Sequence, residues 1–223
     1  MRRFADVRCV LFDLDGTLLD SAADLGGAAN QMRMARGLRA LDGQAYRASA
    51  GSGARGMLKV AFAVAPEDDD FAELREEFLT LYERRMTRHT RPFDGIEDLL
   101  FALQRRGLCW GVVTNKQRRF TGPLTIALPL FHTAVTIVSG DTTPHAKPHP
   151  APVLEAMRQA GVEPAQCVYV GDDERDILAG RYAGVRTVAA RYGYLGEGAP
   201  IEHWGSDAVI DQPAELLNLL DLT

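Results

Sequence analysis

Cysteine is scarce in this chain, with three in 223 residues, and Cys9, Cys109 and Cys167 show neither CxxC nor CxxH spacing. That excludes a metal finger and a redox pair, and since each lies in or beside an apolar strand-like run, buried free thiols are expected. Positive charge is not in excess either: 25 Lys and Arg stand against 30 Asp and Glu, a net charge of −5. Without a basic stripe the electrostatic footprint of a nucleic-acid binder is missing. Long apolar runs are absent as well. The stretch Cys9 to Phe12, behind the charged start Met1-Arg2-Arg3, stops at Asp13, far short of a signal core or a membrane span. The expectation is a cytoplasmic protein with no membrane partner. There is no internal repeat and no low-complexity tract, and a hydrophobic content of 46% is ample for an α/β core with a second, smaller module.

What is present is a series of short β-rich runs ending in polar residues and separated by helix-length stretches: Arg8 to Phe12, Leu108 to Val113, Ala134 to Val138, Cys167 to Val170 and Val185 to Ala189. This alternation predicts a Rossmann-like, doubly wound parallel sheet. Right-handed crossovers bring all strand ends to one edge, so Asp13, Thr114, Lys147 and Asp172 can share a site. About ninety residues separate the first two strands, far more than one crossover helix requires. An all-α module is therefore expected at 21–87, inserted into a core made of 1–20 and 88–223. Ala22 to Arg36, Ala54 to Val64 and Asp69 to Arg88 read as its helices, Gly51-Ser52-Gly53 as its tip loop and Thr90-Arg91-Pro92-Phe93 as a hinge.

Four polar motifs stand at or near strand ends. Val10-Leu11-Phe12-Asp13-Leu14-Asp15-Gly16-Thr17 places two carboxylates after the first strand. Val112-Val113-Thr114-Asn115-Lys116 delivers a hydroxyl and an amide, Lys147-Pro148-His149-Pro150 a lysine in a proline-set loop, and Val170-Gly171-Asp172-Asp173-Glu174-Arg175-Asp176 an acidic cluster. Each alone has an ordinary explanation: an Asp-Gly turn, a helix cap, a solvated lysine, acids at a helix N-terminus. Their coincidence in order, strand by strand, does not.

With these four motifs in order the chain resembles the haloacid dehalogenase superfamily of phosphatases over almost its whole length, and its insert resembles that superfamily's helical cap. The subfamily pattern is similar to phosphoglycolate phosphatases. The Gly51 loop, Tyr192-Gly193-Tyr194 and His203-Trp204-Gly205 also resemble the N-acetylmuramic acid 6-phosphate phosphatases of cell-wall recycling. The resemblance implies a Mg²⁺-dependent phosphomonoester hydrolase of the cytoplasm, acting on a small phosphorylated metabolite, 2-phosphoglycolate first and the 6-phosphosugar as the alternative. Asp13 is then the nucleophile that forms an aspartyl-phosphate, and Asp15 the acid that protonates the leaving oxygen and later the base for water. Gly16 lets backbone N–H groups approach the phosphoryl oxygens, Thr114 and Asn115 donate to them, and Lys147 neutralises them. Acids beside a phosphate dianion require a cation, and Mg²⁺ is expected on Asp13, the backbone carbonyl of Asp15, and Asp172. Asp176 is expected to hold Lys147 or a metal-bound water, and whether Asp173 touches the metal is open. Arg55, beside the tip loop, is a candidate partner for a substrate carboxylate. His203 and Trp204 are expected to pack at the core edge, with no second ligand at metal spacing.

Four other readings compete. An EF-hand fails in register, because aligning Gly16 with the loop glycine puts Leu11 at the first ligand position. A dehalogenase proper has no use for Asp15, since a halide leaves without a proton. A sugar phosphomutase, or a non-catalytic binder on the same fold, remains compatible with the motifs. Oligomeric state is not legible.

Overall fold

A computed structural model describes residues 4–221; the charged start at Met1, Arg2 and Arg3 lies outside them. Six parallel strands form the central sheet: β1 (Cys9–Phe12), β4 (Cys109–Val113), β5 (Thr136–Val138), β6 (Cys167–Gly171), β7 (Arg186–Ala190) and β8 (Ala208–Ile210). Their order is β5-β4-β1-β6-β7-β8, so β1 is central and the strand order reverses around it. Alternation along β1 explains the layering, because successive side chains leave opposite faces of a strand. Val10 and Phe12 join Leu99, Leu100 and Leu103 of α5 (Ile96–Arg105) and Leu216 and Leu219 of α9 (Leu216–Leu219). Cys9 and Leu11 face Val153, Ala156 and Met157 of α7 (Ala151–Ala160) and Ala179 of α8 (Glu174–Tyr182). The sheet is thus buried on both faces, as a parallel sheet must be. In register, Cys9 pairs with Cys109 on one side and Cys167 on the other. All three thiols are free, Cys9 and Cys167 buried and Cys109 half-buried.

Between β1 and β4 the chain runs through α1 (Ala22–Ala35), α2 (Gln44–Arg47), α3 (Gly53–Phe62) and α4 (Phe71–Glu83). Their apolar faces form a separate cluster, with Leu25 and Met32, Met57 and Leu58, Phe78 and Tyr82 at its centre. Phe120 and Leu124 of α6 (Arg118–Ala127) and Tyr194 join it from outside that segment. The two connections into and out of the helices, β2 (Leu19–Asp20) and β3 (Arg91–Pro92), pair antiparallel as a short ribbon that the sequence did not announce. Asp24 secures it: one buried oxygen accepts from the N–H groups of His89 and Thr90, each at 2.9 Å, and from the Thr90 hydroxyl at 3.0 Å. The other oxygen lies 3.7 Å from Arg85 Nε. Asp24→Ala is therefore expected to destabilise the protein by about 3–5 kcal/mol in urea denaturation, because it strips a buried ion pair and three donors of their acceptor.

One expectation needs correcting. Trp204 is buried and its indole N–H donates to the Ala199 carbonyl at 2.8 Å, but His203 is exposed. The single 3₁₀ turn Ile201–His203 turns Ile201 and Trp204 inward and leaves His203 in water.

Candidate active site

The switch in strand order around β1 leaves a crevice outside the carboxyl ends of β4, β1 and β6, the place where open α/β sheets bind ligands. Thr114, Asp13 and Asp172 are the first residues beyond those three strands. The Asp13 N–H still donates to Val170 O at 2.9 Å and that of Thr114 to Val138 O at 2.9 Å, so both side chains are held by the last rungs of the sheet. Lys147 reaches the same point from the loop after β5. Asn115 clamps that loop with two side-chain hydrogen bonds to the Lys147 backbone, at 2.9 and 3.0 Å.

Lys147 is buried among acids. Its Nζ lies 2.6 Å from Asp13 Oδ1 and 2.6 Å from Asp176 Oδ1, and donates also towards Val113 O at 3.0 Å and the Tyr169 hydroxyl at 2.9 Å. Burial works against its charge, but Asp13 and Asp176 more than offset this and hold its pKa above the usual lysine value. Among the described residues Asp172 has no cationic side chain as a partner: it accepts from the Thr17 hydroxyl and the Tyr194 N–H, each at 2.8 Å. Burial, then the neighbouring Asp13 and Asp176, push it well above the ordinary carboxylate range. Burial likewise raises Asp13 to about 7, Lys147 opposing it.

Oxygen atoms of Asp13, Asp172 and Asp176 lie within 4.8 Å of one another. Three buried carboxylates against one lysine leave a surplus of negative charge, and the donors are all hard oxygens, the chemistry that fits Mg²⁺ rather than a thiolate-seeking metal. Glycine lets the backbone pack directly against the Asp172 side chain: Gly16 sits at φ +95°, and a Cβ there would fall 2.0 Å from Asp172 Oδ2. A Cβ on Gly193 would lie 2.2 Å from the Asp172 Cβ. Neither position accepts a side chain.

Asp15 stands apart from that triad, at the edge of the same crevice. Its Oδ1 accepts from Ser21 Oγ at 2.5 Å, and both its oxygens accept from Lys116 Nζ, at 3.1 and 3.0 Å. Ser21, the residue at the start of α1, spends its hydroxyl on Asp15 and makes no side-chain cap to the helix. Asp173 does cap its helix: its carboxylate accepts from the Arg175 N–H and pairs with the Arg175 guanidinium at 2.7 and 2.8 Å. Asp176 completes the capping box by accepting from the Asp173 N–H at 3.1 Å. Both Asp173 oxygens are thus engaged by Arg175, whose guanidinium also donates to Gly51 O at 2.9 Å and so holds the tip loop over the acids.

Above the acids lies a cavity of about 290 Å³. Its floor is Asp13, Asp15, Thr114 and Lys147, its walls include Phe71, Phe78 and Leu79, and Arg55 and Arg75 line it from α3 and α4. Asp13, Asp15, Thr114, Asn115 and Lys147 line this cavity together, Asp172 and Gly16 do not line it, and several of the partners of these residues are not legible in the sequence. Lys116 lay inside the Thr114-Asn115-Lys116 run without a role. Tyr169 was hidden in an apolar strand, where a lone phenol among valines is itself a signal that a polar partner is near. Thr17, Ser21 and Tyr82 carried no such signal.

The chain is 42% identical over 215 residues to an N-acetylmuramic acid 6-phosphate phosphatase of Pseudomonas aeruginosa, covering 96% of this chain and 95% of the relative. It is 44% identical over 210 residues to a phosphoglycolate phosphatase of Xanthomonas campestris pv. campestris, covering 94% of each. Its fold matches a crystal structure described as a predicted phosphoglycolate phosphatase from Haemophilus somnus with a TM-score of 0.83 and 28% identity, covering 96% of this chain and 98% of that one. Residues 10–190 match the family described as haloacid dehalogenase-like hydrolase, and they contain the strand-end acids, the lysine and the helical segment alike. This protein belongs to the haloacid dehalogenase-like hydrolases.

Proposed function

We propose that the protein hydrolyses phosphate monoesters of small carboxylate-bearing metabolites through an aspartyl-phosphate on Asp13, with 2-phosphoglycolate as the leading substrate. In this reading 21–87 is a helical cap over a core of 1–20 and 88–223. The observation that carries it is Asp13 on the cavity floor with one oxygen fixed 2.6 Å from Lys147 Nζ, which leaves its other oxygen to attack phosphorus. As the Asp13–phosphorus bond forms, the bond to the leaving oxygen breaks, and Asp15 supplies that oxygen with a proton. Thr114 Oγ and the Asn115 N–H donate to the phosphoryl oxygens while Lys147 balances their charge. In the second displacement Asp15 takes a proton from the attacking water, and phosphate and Asp13 are released. Mg²⁺, held by Asp13, Asp172 and the Asp15 carbonyl, would supply the positive charge that lets a dianion approach these acids. Asp176 keeps Lys147 in place, and Asp173, bound to Arg175, serves the helix terminus and the tip loop. No helix among the described residues is long and apolar enough to cross a membrane. Three free thiols side by side fit a reducing compartment, and we place the enzyme in the cytoplasm.

The volume and apolar walls of the cavity favour a second reading, the 6-phosphate of N-acetylmuramic acid, because about 290 Å³ exceeds what a two-carbon acid fills. Comparing kcat/KM for phosphate release from the two esters with Mg²⁺ decides between them, and isomer formation from a sugar phosphate in place of phosphate release would indicate a mutase. Arg55 lines the cavity without a hydrogen-bond partner among the described residues. Arg55→Ala is expected to raise KM for the preferred carboxylate-bearing ester by about tenfold or more with little change in kcat, the loss of one charge-assisted contact made equally in ground and transition states. KM for p-nitrophenyl phosphate, which has no carboxylate, should hold.

A further inference from the structure

Lys116 and Tyr82 have no place in the chemistry above, yet Lys116 is buried against Asp15 and Tyr82 against Lys116. Lys116 follows β4 in the core, and Tyr82 belongs to α4 in the helical segment. The Lys116 ammonium donates to both Asp15 oxygens and, at 2.8 Å, to the Tyr82 hydroxyl. The side chains of Lys116 and Asp15 are only 8% and 14% exposed. Tyr82 cannot move alone: its ring stacks on Phe78 within α4, 6.2 Å between centroids and 3° between planes, and tilts against Phe120 of α6 at 5.5 Å. Its hydroxyl therefore follows wherever α4 sits. On its other side Asp15 is gripped by Ser21, at the entry to the same helices.

The Asp15 carboxylate is thus aimed by two contacts, one direct and one through Lys116, that both report the seating of the helical segment. Phe78, Leu79 and Tyr82 of α4 line the cavity opposite Asp13 and Asp15, so a leaving group lies between Asp15 and that helix. We propose that Lys116 is a positioning residue and Tyr82 its anchor, together coupling the seat of the helical segment to the aim of Asp15 at the leaving oxygen. The coupling rests on the reading of Asp15 as the proton donor to the leaving group. Its consequence is that a proton is delivered only when the helices close over the ester, so that an open site holding water does not turn over poor leaving groups.

A merely structural lysine and tyrosine would, when replaced, lower turnover of every ester alike. A positioning pair would not, because p-nitrophenolate departs without a proton and an alkoxide does not. The test measures kcat/KM, which reports the first displacement and not the hydrolysis of the aspartyl-phosphate common to all esters, with p-nitrophenyl phosphate and with whichever of 2-phosphoglycolate and N-acetylmuramic acid 6-phosphate is turned over better. It uses the native enzyme and the Asp15→Asn, Lys116→Met, Lys116→Arg and Tyr82→Phe variants, each checked for folding by its thermal melt. For Lys116→Met and Tyr82→Phe the loss on the alkyl ester is expected to exceed that on the aryl ester by about tenfold or more, a part of what general acid catalysis supplies. Lys116→Arg should recover a portion of it. Tyr82→Phe keeps the ring and its packing, so it decides the matter even if Lys116→Met does not fold. Equal losses on both esters, or none, in Lys116→Met and Tyr82→Phe overturn the coupling while a bias in Asp15→Asn upholds the acid. Absence of that bias in Asp15→Asn overturns the acid assignment and the coupling with it.

Discussion

Asp13→Asn is expected to abolish phosphate release, lowering kcat by at least about 10⁴-fold, the scale of loss seen when a member of a covalent catalytic unit is removed. An amide is a poor nucleophile towards phosphorus and cannot carry the phosphoryl group between the two displacements. The replacement should not unfold the protein. Asp13 is buried, and burial, with the neighbouring Asp176 adding to it, pushes its carboxyl up to about 7 in spite of Lys147. Removing a charge that the site strains to hold relieves that cost, and Lys147 retains Asp176 at 2.6 Å, the Val113 carbonyl and the Tyr169 hydroxyl. A melting temperature equal to or above that of the native protein in EDTA, together with the lost turnover, identifies a chemical defect. Native-like phosphate release from the purified variant would overturn Asp13 as the nucleophile.

The second large effect concerns the cation. Asp13 and Asp172 are both held above the carboxyl range of an unfolded chain, so between about pH 4 and pH 7 the folded state binds protons that the unfolded state has released. Stability from this source is present at low pH and is lost as pH rises through the folded values. In EDTA the melting temperature is therefore expected to fall from pH 5 to pH 8, through this contribution. Mg²⁺ should reverse the trend at pH 8, adding about 2.7 kcal/mol at a hundredfold excess over Kd, because it binds the carboxylates in the folded state alone. Activity should disappear in EDTA and return with Mg²⁺. Asp172→Asn should lose most of the Mg²⁺-induced shift while Asp24→Asn, at a carboxylate that faces His89 and Thr90 instead of the triad, should keep it. A melting curve indifferent to Mg²⁺ at pH 8 would exclude these acids as its site.

Much of the site is legible in the chain alone, and the reason lies in how parallel sheets are built. Strands such as Cys9–Phe12 and Cys167–Gly171 are buried on both faces and read as unbroken apolar runs. Their ends are therefore marked by the first polar residue, and Asp13, Thr114 and Asp172 are those residues. Helix limits were less visible. The α4 pattern of apolar positions invited an end at Arg88, but the helix stops at Glu83 and the chain runs on through turns to His89 and Thr90, whose N–H groups Asp24 accepts. The pairing of β2 with β3 was not legible in strands of two residues each.

The sequence by itself determined the architecture and the set of chemical groups at the site, since hydrophobic period, strand-end polarity and right-handed crossover are local properties of the chain. Only the tertiary structure decided which group faces which. Lys147 and Lys116 are both lysines beside strand-end acids, yet one is given to Asp13 and Asp176 and the other to Asp15. That choice depends on the order β5-β4-β1-β6 and on where α4 rests, and contacts across 134 and 101 residues leave no trace in local pattern. Burial then sets the electrostatics: the same carboxylates in water would titrate alike, and it is desolvation among one another that separates Asp13 and Asp172 from their ordinary values.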